Sequence, residues 1–403
     1  MSIPKHALEG VRVLDMGRYQ AGPRASLVMA RPGADVIKIE APGGDESREH
    51  GPFVRGQSAY WVQYNSGKKS LGLNLRSEKG KDILRGLVKV SDILVQNYRP
   101  GTIDKIGFSY DNLRAINKRI IMVNVSAYGQ YGPYRDRIGF DPIGQAISGM
   151  MTLTGFRGMP PIRTFNPVID RITSLHATIG TLAALYEREL SGEGQSIDVS
   201  LADTGYSMTE IQCSAFLGSG FVTERDGNGK GTSNIYQAKD GWILLSAQSN
   251  KIWPRFCEAI GSPEWSDDPR FLTRAGRDEN YEAIEEVLNL WFAERTVVEA
   301  TDIIADLGIP CQAVNDIPSA ATDPQVHERE LLVEVPDPIA GTIHVSGKNI
   351  KLSRSEIVVG SAPVPGQHTR EILTSLLGYT NSHIDALENE GVLYAAKVDH
   401  QVD

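Results

Sequence analysis

Short apolar runs punctuated by glycine and proline alternate with amphipathic stretches through the first half of the chain. VRVLD (11–15) is a β-branched run followed by Gly17, Gly22 and Pro23. ASLVMA (25–30) reads as helix, Pro32-Gly33 stops it, and DVIKIE (35–40) reads as a second strand. Strand, helix and strand in such quick succession predict a βαβ unit, and therefore parallel pairing with a right-handed crossover. Further buried strands are expected at SDILVQN (91–97) and RIIMVNVSA (119–127). Between them SEKGKDILRGLVKV (77–90) spaces its apolar residues as a helix does. The first two hundred residues thus read as an open α/β domain.

A long helix is predicted from Arg171 to about Glu189, ended by SGEG (191–194), with a return to strand at QSIDVSL (195–201). The pattern then changes. GSGFVTERDGNGKGTSN (218–234) is glycine-rich and polar, as linkers and mobile loops are. GWILLSA (241–247) and helical stretches at 250–260 and 280–307 suggest a smaller α+β unit. From residue 330 the tail offers short strands around LLVEV and GTIHVS, then a helical GQHTREILTSLLGY. Two domains agree with a length of 403 residues, more than one hydrophobic core usually fills.

Composition narrows the class. Hydrophobic content of 41% and charged content of 23% are ordinary for a globular enzyme. No apolar run reaches the length needed to cross a bilayer, and the opening MSIPKHALEGVRVLD shows no leader-like apolar segment, so a cytoplasmic protein is expected. Three cysteines, at 213, 257 and 311, fit neither a disulfide framework nor a zinc site. The net charge of −9 argues against nucleic acid. It conceals an asymmetry, because residues 1–150 hold 22 Lys and Arg against 14 Asp and Glu. A basic first third suits a small polyanion such as a nucleotide or CoA, as well as a plain scatter of solvated charges.

The first turn invites a dinucleotide reading, yet DMGRYQAGP lacks the G-x-G-x-x-G spacing. Arg18 and Gln20 fall instead at the carboxyl end of the first strand, where open α/β sheets bind ligands. Asp170 directly precedes the long helix. Local sequence favours a helix N-cap there. The alternative is chemical: a helix N-terminus keeps a carboxylate ionised, and an ionised, fixed carboxylate is a covalent nucleophile toward an activated acyl group.

A dozen segments in register decide between these readings. They include YQAGP (19–23), GADVIKIE (33–40), GGDESR (43–48), YWVQYNSGKKSLGLNLR (60–76), NYRPGTIDKIGF (97–108) and GFDPIGQAISGMMTLTG (139–155). DRITSLHATIGTLAALYER (170–188), GEGQSIDVSLAD (192–203), LGIPCQAVN (307–315) and GQHTREILTSLLGY (366–379) follow in order. Together they resemble the class III CoA-transferases of the formyl-CoA transferase and crotonobetainyl-CoA:carnitine CoA-transferase type. The resemblance implies a large Rossmann-like parallel-sheet domain and a smaller α+β domain in an interlocked homodimer. It places the large, discontinuous CoA-binding domain at 1–217 and 330–403, the small domain at 235–315, and linkers at 218–234 and 316–329.

The same resemblance implies that Asp170 is the nucleophile, passing through an aspartyl mixed anhydride and an aspartyl-CoA thioester, with Gln20 directing its amide at the reacting carbonyl. It assigns CoA contacts to Arg99 and Lys105, with Lys38, Arg76 and Asn97 in neighbouring matched segments, and pocket positions to Tyr60 and Phe140. No metal or permanently bound cofactor is implied, since CoA enters as the acyl-CoA substrate. Departures include VMARPG (28–33), Ser174 where many members have Gly, and DGNGKGTS (226–233) as the nearest counterpart of a glycine loop over the site.

Competing readings are an α-methylacyl-CoA racemase and a non-catalytic CoA-binding protein. The first is disfavoured because the segment reads Gly139-Phe140-Asp141, and phenylalanine cannot accept a proton. Arg157, Arg163 and Arg171 flank the approach to Asp170 and suggest a small dicarboxylate such as oxalate, succinate or a C4–C5 diacid.

Overall fold

The computed structural model describes residues 5–395; Met1–Pro4, part of the opening read for a leader, and residues 396–403 lie outside it. The chain divides into two compact units. The larger comprises the chain up to Met150, Arg163–Cys213 and the chain from His327; the smaller comprises Met151–Ile162 and Ser214–Val326. Met151–Ile162, expected in the large domain, thus groups with the small one.

The larger unit is built on one seven-stranded sheet. Across it lie Leu393–Tyr394, Lys69–Leu73, Asp35–Glu40, Arg12–Asp15, Ile93–Gln96, Ile121–Ser126 and Ser196–Ser200. All neighbours are parallel except the Leu393–Tyr394 edge, which runs antiparallel to Lys69–Leu73. The six parallel strands follow the order 3-2-1-4-5-6, so the direction of winding reverses between Arg12–Asp15 and Ile93–Gln96. Connections leave those two strands toward opposite faces and open a crevice at their carboxyl ends.

Both faces of the sheet are covered, which is why the central strands are apolar almost throughout. One core joins Leu14, Ile37, Leu71 and Leu94 to Ile83, Leu84 and Leu87 of the helix Glu78–Lys89. Val13, Val36, Val95 and Val123 face the other way, onto Ala25 and Met29 of the helix Ala21–Ala30 and Ala177 and Ala184 of the helix Val168–Ser191. Alanines at these positions let the two helices lie close to each other and to the sheet.

The smaller unit holds a three-stranded antiparallel sheet, Ser233–Gln237, Trp242–Ser246 and Cys311–Ala313. Its core gathers Trp253, Phe256, Phe271, Trp291 and Phe292. The helical stretch expected at 280–307 is two helices, Tyr281–Ala293 and Val297–Asp306, because Thr296 and Glu299 form a capping box that starts a new helix. The glycine-rich loop is tied within this unit, with Gly227 N–H donating to the Gly155 carbonyl and Gly231 N–H to Glu285. Among the described residues no helix is long and apolar enough to cross a membrane.

Candidate active site

The crevice predicted by the winding reversal is a cleft of about 460 Å³. Its walls are the turn after the first strand (Arg18, Tyr19, Gln20), the turn after Ile93–Gln96 (Asn97, Tyr98, Arg99), the loop Arg137–Phe140, and Asp170.

The turn after the first strand is fixed from beneath by a buried ionic cluster. Gly17 N–H donates to Asp15 Oδ1 at 2.8 Å, and Lys38 Nζ donates to the Gly17 carbonyl. Lys38 also pairs with Asp45 at 2.9 Å, while Lys68 Nζ reaches Asp15 Oδ2 at 2.8 Å and the Pro23 carbonyl at 2.8 Å. Burial works against the Lys38 charge, but Asp15 and Asp45 outweigh it and hold its pKa above the ordinary lysine value. Lys68, buried with one acidic partner, is pushed down to about 8. Asn97 clamps the next residue, accepting from Arg18 N–H at 2.7 Å and donating to its carbonyl at 2.8 Å.

Both glycines of this segment are required by close approach. A Cβ on Gly17 would meet Pro23 Cδ at 2.8 Å, and one on Gly22 would meet Asn97 at 3.2 Å. Tyr19 then adopts φ 59°, a conformation unusual for a side-chain-bearing residue and sustained by the clamps on either side.

Asp170 is the third residue of the helix Val168–Ser191, whose N-cap is Pro167, so Asp170 is not the cap that local sequence favoured. Its backbone N–H donates to Asp141 Oδ2 at 3.0 Å, and Asp141 Oδ1 accepts from Gln145. No hydrogen bond reaches the Asp170 carboxylate among the described residues. The side chain is half-buried: it opens onto the cleft, yet the surrounding protein strips much of its hydration. Burial, reinforced by the neighbouring Asp141, lifts its pKa from 3.8 to about 7. Burial and Asp141 thus work against the charge that a helix N-terminus favours.

Gln20 is buried, and its Nε2 lies 3.5 Å from the Pro167 carbonyl at the start of the Asp170 helix. At that length the bond is weak, and the amide remains available to a better acceptor.

Five of the residues expected from sequence share the cleft: Gln20, Asn97, Arg99, Phe140 and Asp170. Tyr60 stands beside it, with its phenol pushed up in pKa by burial, Tyr64 and the nearby Asp170, so that it keeps its proton. Arg76 and Lys105 are exposed and outside the lining. Lys38, expected to meet CoA, is only 1% exposed and fully engaged with Asp45 and Gly17, which removes it from any phosphate. Ser174 faces the helix Ala21–Ala30, where Arg24 donates to it at 3.2 Å, rather than the cleft.

Sequence reasoning missed Arg137 and Asp141. Arg137 lines the cleft with its guanidinium 3.8 Å from the Tyr134 ring, and neither it nor Arg99 has an acidic partner among the described residues. The available signals were YRDR, a basic loop just after a buried strand, and an acid beside Pro142 at a helix start.

Comparison with known proteins gives the family. A family model described as CoA-transferase family III matches residues 8–369. Succinyl-CoA--D-citramalate CoA-transferase of Chloroflexus aurantiacus is 34% identical over 97% of this chain and 99% of its own. The succinyl-CoA:glutarate CoA-transferase of Mus musculus is 33% identical over 96% and 90%. Formyl-CoA:oxalate CoA-transferase of Streptomyces avermitilis is 32% identical over 96% and 99%. Among solved structures, a CAIB/BAIF family protein from Brucella suis superposes with a TM-score of 0.83 at 28% identity, covering 93% of this chain and 100% of that one.

Proposed function

The chain belongs to CoA-transferase family III and is a CoA-transferase, and we propose that it moves CoA from an acyl-CoA donor to a small dicarboxylic acid through covalent intermediates on Asp170. The observation that carries this reading is a half-buried carboxylate, free of hydrogen bonds among the described residues, in the wall of a cleft also lined by Arg99 and Arg137, which have no acidic partner among those residues.

In its ionised form an Asp170 oxygen attacks the donor thioester carbonyl. The tetrahedral oxyanion is met by the Gln20 amide, and its collapse breaks the C–S bond, leaving an aspartyl mixed anhydride and CoA thiolate. The thiolate attacks the aspartyl carbonyl and expels the donor carboxylate, which leaves an aspartyl-CoA thioester. An acceptor carboxylate oxygen attacks that thioester and releases the thiolate again. The thiolate then attacks the acceptor's carbonyl, forming the new acyl-CoA and restoring Asp170. No net proton is gained or lost. Arg99 and Arg137 are suited to the phosphates of CoA, for which guanidinium offers paired donors.

A dicarboxylate acceptor is supported by the diacids named for two of the relatives, succinate with glutarate and with citramalate. Of the arginines suggested from sequence, Arg157 groups with the smaller unit beside Glu224 and Asp226, and Arg163 and Arg171 are exposed in the larger one.

An apolar stripe supports self-association as a homodimer. Leu175, Ile179, Leu182, Tyr186 and Leu190 recur at helical spacing along one side of Val168–Ser191 and are all 40–77% exposed.

Mass spectrometry of protein incubated with acyl-CoA tests the covalent reading. A CoA-sized, hydroxylamine-labile adduct on the Asp170 peptide is expected, and Asp170→Ala should lose turnover while retaining CoA binding. Near-normal turnover in Asp170→Ala would sink it.

A further inference from the structure

We propose that His50 is a specificity residue that binds the distal carboxylate of the acceptor diacid, with the Tyr60 hydroxyl as its companion. The inference rests on the transferase reading above and assigns the acceptor half of the same site.

Asp170 has two kinds of neighbour. On the cleft side stand Arg99 and Arg137. Around it also stands a set of mutually packed rings. His50 meets Tyr19 edge-on at 5.5 Å and Tyr60 at 5.8 Å, Tyr19 meets Phe140 at 6.2 Å, and Tyr60 meets Tyr64 at 5.0 Å. Tyr19 and Phe140 line the cleft with Asp170, and the Tyr60 phenol feels the Asp170 charge. His50 is therefore packed against Tyr19, which shares the cleft lining with Asp170, and against Tyr60, which feels the Asp170 charge, and it is itself exposed.

The chemistry of this position is specific. His50 Nδ1 lies 3.0 Å from the Glu46 carbonyl, which can only accept, so Nδ1 carries a hydrogen. That leaves Nε2 free for a ligand, accepting from an acid or a hydroxyl when neutral and donating to a carboxylate as imidazolium. Two of the nearby acids are already paired. Glu46 is paired with Arg18 and Asp45 with Lys38, so an incoming anion meets compensated charge. Tyr60 keeps its proton and can donate from the same wall. His50 and Tyr60 thus form a donor pair packed ring to ring beside the cleft wall that carries Tyr19 and Asp170.

The test compares succinate with butyrate, acids alike except for the distal carboxylate, using one acyl-CoA donor. Wild-type enzyme should favour succinate. In His50→Phe, which keeps a ring on Tyr19, the ratio of kcat/KM for succinate over butyrate should fall tenfold or more, through the KM for the acid. His50→Gln, which keeps a hydrogen-bonding head, should recover part of it, and KM for the donor should not move. The proposal is overturned if His50→Phe leaves that ratio unchanged, if it slows both acids equally, or if wild-type enzyme accepts butyrate as well as succinate. The last outcome leaves CoA transfer itself standing. By contrast, absence of the Asp170 adduct from wild-type enzyme would remove the transferase reading.

Discussion

Replacing Asp170 with asparagine should stabilise the protein above neutral pH while abolishing turnover. Burial and Asp141 raise the folded-state pKa from 3.8 to about 7, so folding favours the protonated acid. For a raised value the cost is absent below about 4, grows as pH climbs, and is complete above about 7, where the unfolded chain is ionised and the folded one must follow. That rise corresponds at most to about 4 kcal/mol, at 1.36 kcal/mol for each tenfold change in acidity. The carboxylate opens onto the cleft, and solvent there reduces the figure to about 2 kcal/mol. Asparagine avoids the cost at every pH. Comparing thermal unfolding of the two proteins at pH 5 and pH 8.5 isolates the effect, because every other titrating group is common to both. The advantage of Asp170→Asn should be roughly 1–2 °C larger at pH 8.5. An equal difference at both pH values, or a destabilised variant at the higher one, would refute the assignment of a desolvated acid.

Three further outcomes follow from the site. Asp141→Asn removes the like charge beside the nucleophile, so the rise of kcat/KM with pH, expected near 7 in wild type, should move to lower pH; an unmoved profile measured with one donor would contradict the coupling. Arg99→Ala and Arg137→Ala should each raise KM for acyl-CoA about tenfold, leave kcat within twofold, and spare KM for the acid, as steady-state kinetics would read. Ile179→Asp places a charge in the exposed apolar stripe of the Asp170 helix and should shift a dimer toward monomer in sedimentation velocity, whereas a surface-neutral position would give an unchanged profile.

Much of this was legible in the chain. The βαβ opening follows from VRVLD, ASLVMA and DVIKIE, and the strand–helix–strand rhythm placed Arg18 and Gln20 at the carboxyl end of the sheet. Lys69–Leu73 was not read as a strand because KSLGL has neither β-branched residues nor alternation, and its strand state depends on pairing with Asp35–Glu40. Leu393–Tyr394 is two residues long and equally dependent on its partner. Lys38 misled for a different reason. A lysine flanked by Ile37 and Ile39 in a strand covered on both faces needs a buried partner, but that partner, Asp45, lies beyond the turn. The perturbed Asp170 could not be foreseen, since local sequence shows a helix start but not the density around it or the Asp141 carboxylate that approaches from 29 residues away.

The clamp on Gly17 and Arg18 separates two properties that often trade against each other. With both backbone groups of each residue already taken by Asp15, Lys38 and Asn97, the segment that presents Gln20 has its shape before any substrate arrives, and binding has no ordering of this loop to pay for. His50, Tyr60 and Phe140 sit on other segments and take no part in that clamp, so substitution at those positions leaves the turn that presents Gln20 its shape.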